Sequence, residues 1–322
     1  MKNILITGGT GSFGQEFAEF VIDAHPEVER IVIFSRDWVK QKEMADRLND
    51  PRLRFFLGDI RDPERVKEVL RGCDTVIHAA AFKHVNLGEV NPQEILRTNI
   101  EGSSVLIRAA IEAKVSRFLA LSSDKAVQPL NTYGKSKAMM ESLVIQANAL
   151  SSHSVGMYSC CRYGNVFGTR GSVIETWEKQ YALAIPLTIT DGESTRFFLT
   201  LPQACQFVWD SLLQMQGGEI FIPKIPAFRI GDLVESLYPG SEYKTIGSLP
   251  GEKKHENLIA PGEESFTFDL TTRFVVMPDV STWGILEQSS PRIAEIDLPY
   301  MSERVCGTKK ELVSWLLANG YL

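Results

Sequence analysis

Short apolar runs of strand length alternate with stretches of helical periodicity through the first half of the chain. Asn3–Thr7 is one such run, and after it Phe17, Phe20 and Val21 recur at the spacing of one helix face. The runs 31–34, 53–57, 75–78 and 118–122 repeat the strand signature, and a helical stretch carrying a half-buried Asn99 extends to about Ala113. Five β-α units before residue 165, with little length wasted between them, predict an α/β fold on a doubly wound parallel sheet of the Rossmann type.

Beyond Gly168 this rhythm breaks. Trp177, Tyr181 and Leu183 predict a helix and 185–189 an extended segment, the start of a smaller α+β lobe. Residues 201–215 read as an amphipathic helix with Thr200 as N-cap, and 218–222 as a strand returning to the main sheet. Further helices are expected at 229–237 and 309–319. The expected division is a nucleotide-binding domain of residues 1–165 plus about 196–222, and a substrate-binding lobe of about 166–195 and 223–322. Apart from its terminal helix, 261–322 carries no interpretable motif.

Composition narrows the partners. The chain has 322 residues, 44% of them hydrophobic, enough for one large core or two smaller ones. Forty acidic against 34 basic residues give a net charge of −6, which argues against nucleic acid or a membrane surface and for a small molecule. Five scattered cysteines without a C-x-x-C pair fit reduced thiols and no metal site. His78 is expected to pack in or near the sheet rather than bind metal. With no signal segment and no apolar run of membrane length, a cytoplasmic protein is expected.

Chemistry gathers after the strand signatures. Gly8, Gly11 and Gly14 follow the first, where glycines allow a tight turn, close approach of a pyrophosphate and packing of the next helix. After the second come Ser35, Arg36, Asp37 and Lys40. Asp37 could read the ribose 2′-hydroxyl of NAD, but Arg36 and Lys40 suit a 2′-phosphate, which favours NADP; the alternative is a solvated basic turn. Asp59, after the third, could accept from the adenine amino group or cap a helix. Asn99 could water-link a lysine ammonium or satisfy a backbone carbonyl. Ser123, Asp124 and Lys125 emerge where open α/β sheets bind ligands, and Tyr133 and Lys137 lie four apart, so that on one helix face an ammonium could hold the phenol partly ionised. The run Glu252, Lys253, Lys254, His255 and Glu256 reads as a solvated charge cluster.

With these features in this order the chain resembles the extended short-chain dehydrogenase/reductase family. Ala81-Phe-Lys-His-Val85, Ser123-Asp-Lys-Ala126, Arg162-Tyr-Gly-Asn-Val166, Thr195-Arg-Phe197 and Pro250-Gly-Glu-Lys253 make it similar in particular to the inverting UDP-N-acetylglucosamine 4,6-dehydratases of the pseudaminic acid type. The resemblance spans roughly residues 2–260. It implies a nucleotide-sugar 4,6-dehydratase of bacterial surface-sugar biosynthesis, a homo-oligomer, with NADP as cofactor. Gly8, Gly11, Ser12, Phe13 and Gly14 would hold NADP at the turn, with Ser35, Arg36 and Lys40 beyond the second strand, and Asp59, Ile60 and Ala79 beyond the next two. Tyr133 and Lys137 would sit at the nicotinamide ribose, while Lys83, Ser123, Asn165, Arg170, Val173 and Thr190 would touch the nucleotide sugar. Tyr133 would take the 4-hydroxyl proton, Lys125 the C5 proton, and Asp124 would protonate the departing 6-hydroxyl.

That division needs a neutral Lys125 and a protonated Asp124, so the two are expected to point to different parts of the substrate or to share one proton. One departure concerns the substrate: the family has an arginine before Pro-Gly-Glu-Lys, a clamp on the diphosphate, where this chain has Leu249. A nucleotide-sugar 4-epimerase or C4 oxidoreductase would share Tyr133 and Lys137 without needing the Asp124/Lys125 pair, and a non-catalytic NADP-binding regulator would need neither.

Overall fold

The computed structural model describes residues 1–151, 156–277 and 300–322. Strands β1 (Asn3–Thr7), β2 (Arg30–Ser35), β3 (Leu53–Leu57), β4 (Thr75–His78), β5 (Arg117–Ser123) and β6 (Met157–Tyr163) pair in parallel in the order β3-β2-β1-β4-β5-β6. Their side chains alternate between two buried faces, Leu5, Val32 and Val76 on one and Ile4, Ile6, Ile31, Ile33 and Ile77 on the other. Burial on both sides is why these runs are apolar throughout rather than alternating. The chain leaves β1 toward β2 and β4 toward β5, which opens a crevice at the carboxyl ends of β1 and β4 where such sheets take their ligands.

The short strands β7 (Asn165–Val166), β8 (Leu187–Ile189) and β9 (Thr195–Leu199) follow, and then β10 (Ile220–Pro223) returns to the main sheet beside β6, with Ile220 opposite Cys160. Strand β11 (Ala227–Arg229) pairs with β9, and β12 (Tyr243–Thr245) with β8. The antiparallel hairpin of β13 (Thr267–Leu270) and β14 (Arg273–Val276) extends the main sheet beyond β10, although it lies in the stretch expected to belong to the smaller lobe. Its outer strand is half exposed and short, so it carries little hydrophobic signal. Part of that stretch, 278–299, lies outside the described residues.

A third cluster forms away from the sheet. Phe167, Trp177, Phe198, Phe228 and Leu233 pack with Leu312 and Leu316 of the terminal helix Lys309–Ala318. Helix Leu201–Gln214 opens with Thr200 and Gln203 in a reciprocal capping box. The helical stretch bearing Asn99 is interrupted: Leu96–Glu101 is a π-helical turn, a form that recurs at functional sites.

Candidate active site

The glycine turn has the geometry its spacing predicts. Gly8 has φ +64°, and a Cβ there would stand 2.8 Å from the Ala80 Cα, so both conformation and space demand glycine. A Cβ on Gly14 would meet the Gly9 Cα at 2.5 Å, so glycine lets the first turn of the helix Ser12–Ala24 close on the turn that follows β1. Among the described residues no side chain caps that helix, so its first amides are free to take an anion.

At the end of β2, Asp37 is committed elsewhere. It caps the helix Trp38–Leu48 by accepting from the Lys40 amide at 3.1 Å, and its carboxylate pairs with the Lys40 ammonium at 2.8 Å. Arg36 is 65% exposed, with its guanidinium 3.5 Å from Asp59, and Ser35 accepts from Gln41. Asp59 takes the Arg61 guanidinium at 2.9 and 2.7 Å; burial would raise its pKa, but the bonds to Arg61 outweigh that and lower it. Asp59 is not the helix N-cap of its alternative reading: that position belongs to Asp62, which accepts from the amides of Glu64 and Arg65. Ile60 is buried beside Asp59, and Ala79 lies against the Gly8 turn.

The chain beyond β4 is fixed by Asn99, 1% exposed rather than half buried. Its amide accepts from the Phe82 N–H at 2.7 Å, donates to the Phe82 carbonyl at 3.0 Å and donates to Ser136 Oγ at 2.9 Å, tying this loop to the next helix. His78 is buried between Thr7 and Ser103, each 2.8 Å from a ring nitrogen, and burial pushes its pKa down to about 3, so it is a neutral structural group.

The central constellation follows β5. Ser123 caps a short 3-10 turn, Asp124–Ala126, and Asn131 caps the long helix Thr132–Leu150 by accepting from the Gly134 amide at 2.7 Å. Gly134 is a matter of space: a Cβ there would lie 2.1 Å from the Lys125 carbonyl oxygen, so only glycine lets this helix seat against the turn. Lys137 is buried, and its ammonium donates to the Leu121 carbonyl at 2.7 Å, with its pKa drawn down to about 8 by burial. The electrostatic reason expected for a reactive Tyr133 therefore differs. Burial raises the phenol to about 12, and the opposing influences are the charge of Lys125 and a hydrogen bond with Ser123, not Lys137.

Asp124 and Lys125 touch rather than point apart. Asp124 is fully buried; its Oδ1 accepts from Ser123 Oγ at 2.6 Å and from Lys125 Nζ at 3.1 Å, and its Oδ2 has no partner among the described residues. Burial opposes the charge on Lys125, but the carboxylates of Asp124 and Glu256 outweigh it and raise its pKa. Glu256 corrects the reading of a solvated charge run: it is 2% exposed, with Oε1 3.7 Å from Lys125 Nζ. The same segment docks on the loop before Tyr133, with Asn131 donating to the Gly251 carbonyl, Asn257 to Gln128 and Lys253 to the Val127 carbonyl.

Lys125 and Glu256 line a cleft of about 630 Å³, and Lys83, Asn165, Arg170, Val173 and Thr190 line it too. Of the expected substrate residues only Ser123 is not on its wall; it sits against Asp124 instead. The Asn165 amide oxygen is buried without a partner among the described residues. Lys83 donates to the Arg170 carbonyl at 2.7 Å, and the Arg170 amide lies 3.4 Å from Ser12 Oγ, which joins this wall to the glycine turn. Leu249 lines the cleft where the family arginine would stand. Arg196 does not replace it, since it is held by Glu252 at 2.8 Å and by the carbonyls of Thr195 and Lys254; Arg170 is exposed at the wall. Among the described residues no helix is long and apolar enough to cross a membrane.

A sheet of order 3-2-1-4-5-6, a glycine turn after its first strand and Tyr-x-x-x-Lys beyond its fifth define an extended short-chain dehydrogenase/reductase, in agreement with the sequence resemblance. The chain belongs to the polysaccharide biosynthesis protein family, whose model matches residues 4–278. The inverting UDP-N-acetylglucosamine 4,6-dehydratase of Campylobacter jejuni is 42% identical over 280 residues, 87% of this chain and 84% of its own. A UDP-glucose 4-epimerase of Rickettsia felis is 39% identical over 84% of this chain and 81% of its own. The X-ray structure of Pen from Bacillus thuringiensis superposes with a TM-score of 0.91 at 33% identity, covering 100% of this chain and 98% of that one.

Proposed function

We propose that this protein is a nucleotide-sugar 4,6-dehydratase, C5-inverting, acting on UDP-N-acetylglucosamine or a near relative with NADP as cofactor. The observation that carries the reading is the contact of Asp124 with Lys125 beside Tyr133, with Lys125 on the wall of a cleft whose Arg170 is hydrogen-bonded to Ser12 of the glycine turn. An epimerase has no use for an acid–base pair next to the tyrosine, whereas elimination of water across C5 and C6 needs both. The dehydratase relative at 42% identity supports the same choice over the epimerase at 39%.

In this reading residues 1–165 with about 196–222 hold the dinucleotide, and about 166–195 with 223–322 hold the sugar nucleotide. The open amides of helix Ser12–Ala24 suit its pyrophosphate, with Ala79 and the buried Ile60 beside the path of the dinucleotide. When bound, the nicotinamide supplies oxidation at C4 and reduction at C6, which together leave it unchanged. Tyr133 receives the 4-hydroxyl proton. Lys125 takes the C5 proton as the C6–O6 bond breaks, and Asp124 delivers its proton to O6, which leaves as water. The ion pair seen in the structure and the neutral pair that this step needs differ by one proton moved over 3.1 Å, so the two residues share a proton rather than act apart. Lys83 and Arg170 line the same cleft as Leu249 and are the cations that meet the diphosphate in place of its usual clamp.

The test is mass spectrometry after incubation with a panel of UDP- and dTDP-sugars. A product lighter by one water is expected from UDP-N-acetylglucosamine; an isomer of unchanged mass would establish the epimerase, and no change with any sugar would leave only a binding protein.

NADP is favoured over NAD because Asp37, the residue that could select NAD, is occupied as a cap and by Lys40, while Arg36 stays exposed at the end of β2. Arg36→Ala should weaken NADP about tenfold, the loss of one charge-assisted hydrogen bond at a solvated site, and change NAD little. Calorimetry decides it: equal affinity of the unaltered protein for both cofactors would sink the assignment.

Gly134→Ala separates the local geometry from the fold. Alanine at a helix position is intrinsically better than glycine by about 1 kcal/mol. Its Cβ would nevertheless meet the Lys125 carbonyl at 2.1 Å and push the turn that carries Asp124 and Lys125. A displacement near 1 Å should lower turnover about 10²-fold, with a melting temperature that falls far less than the activity. Full activity would mean that the turn can move without consequence.

A further inference from the structure

We propose that Glu256 is a positioning residue of the elimination step, acting through Lys125: it holds the Lys125 nitrogen from the substrate-side lobe and, with Asp124, makes it a stronger base for the C5 proton. This rests on the dehydratase reading above and adds a residue to it.

The geometry is specific. Glu256 Oε1 lies 3.7 Å from Lys125 Nζ, and its Oε2, 3.5 Å from Lys253 Nζ, is buried without a hydrogen-bond partner among the described residues. Its neighbour Glu252 is fully engaged, accepting from Arg196, Thr190 and the Leu249 amide. A buried carboxylate with an unsatisfied oxygen is unfavourable, and one kept beside a lysine that faces the cleft requires an explanation other than packing. The backbone places it firmly. The Glu256 amide donates to Ser302 Oγ at 2.8 Å, and the Ser302 amide donates back to the Glu256 carbonyl at 2.8 Å. Ser302 Oγ in turn is 2.7 Å from Thr195 Oγ1, which is 2.8 Å from His255 Nδ1. The segment around Ser302 thus acts as a strut behind the catalytic lysine.

The charges facing this carboxylate are Lys125, Asp124, Arg196 and Lys253; those facing Lys125 are Asp124, Glu256 and Arg196, with Tyr133 adjoining. Burial raises Glu256 itself, against the pull of the three cations. During elimination the C5–H bond breaks, its electron pair forms the C5–C6 double bond, the C6–O6 bond breaks, and the proton arrives on Lys125 Nζ while Asp124 protonates O6. No oxidant enters this step. Asp124 has given up its proton by the end of it, and Glu256 is the second carboxylate that the new ammonium meets.

Two measurements test this, one independent of turnover. In protein labelled at the lysine side-chain nitrogens, the Lys125 resonance, assigned by its loss in Lys125→Ala, should titrate about 1–3 pH units lower in Glu256→Gln than in the unaltered protein, the usual effect of removing a charge at this distance. Loss of the C5 deuteron from labelled UDP-N-acetylglucosamine should follow: its rising limb with pH moves acidward by the same amount, and its plateau falls about tenfold with KM little changed. Glu256→Asp, which keeps the charge, should place both limb and midpoint between the two. A purely structural role would lower activity at every pH without moving either, and an unmoved Lys125 midpoint in folded Glu256→Gln overturns the proposal. Absence of water loss from the unaltered protein would overturn the dehydratase reading, while the resonance titration still decides the coupling.

Discussion

Tyr133→Phe should lower the loss of water from UDP-N-acetylglucosamine by about 10²–10⁴-fold, the usual worth of a positioned acid–base group, and should abolish oxidation at C4 to the same extent. The phenol is the group next to Ser123, Asp124 and Lys125 that can take the first proton, because Lys137 is turned to the Leu121 carbonyl and His78 is buried between Thr7 and Ser103. In this environment the phenol is pushed up to about 12, so it is protonated at neutral pH and must give up its own proton to water before it can take that of the 4-hydroxyl. Phenylalanine keeps the ring and its packing, so the melting temperature should barely change. Single-turnover absorbance of the reduced nicotinamide and mass spectrometry of the product are the two readouts. Activity within tenfold of the unaltered protein would remove Tyr133 from the chemistry.

The parts of the fold and site that are legible in the amino-acid sequence are those set by local chemistry. The apolar runs of β1, β2, β4 and β5, the glycine turn and the capping box at Thr200 each depend on residues a few positions apart, and each lies where its pattern places it. The return of β10 to the main sheet is legible as an apolar run between turn residues, but its pairing with β6 is not, because that contact spans about sixty residues of chain.

The features that the sequence hides depend on contacts across long separations. Glu256 sits in a charged stretch that any periodicity argument assigns to solvent, and it is buried because Asn131, Gln128 and the Val127 carbonyl, more than a hundred residues earlier, and Ser302, much later, receive that stretch. Lys137 shares the helix with Tyr133 as its spacing predicts, but helical spacing says nothing of the Leu121 carbonyl that captures its ammonium. The signal that points to Glu256 is the unusual density of charge directly after a Pro-Gly turn, in a lobe whose neighbouring core is aromatic.

Lys125→Ala should part the two half-reactions that Tyr133→Phe stops together. Removing the ammonium leaves Asp124 and Glu256 as buried carboxylates with no cation between them, and breaking such a cluster commonly costs about 3–5 kcal/mol unless a carboxylate takes up a proton instead. Glu256, which burial already raises, can do so, which should preserve the fold with a lowered melting temperature. Oxidation at C4 should then persist, slowed by loss of the Lys125 charge that opposes the raised Tyr133 phenol, since Tyr133 and its hydrogen bond with Ser123 remain, while the C5 proton has no base to receive it. Reduced nicotinamide should accumulate in a single turnover without release of dehydrated product, and a deuteron at C5 should be retained where the unaltered protein loses it to water. The loss in overall turnover should again be about 10²–10⁴-fold. Normal turnover with deuteron exchange intact would show that another group accepts the C5 proton. Glu256, whose Oε1 lies 3.7 Å from the departed nitrogen, would be the first residue to examine.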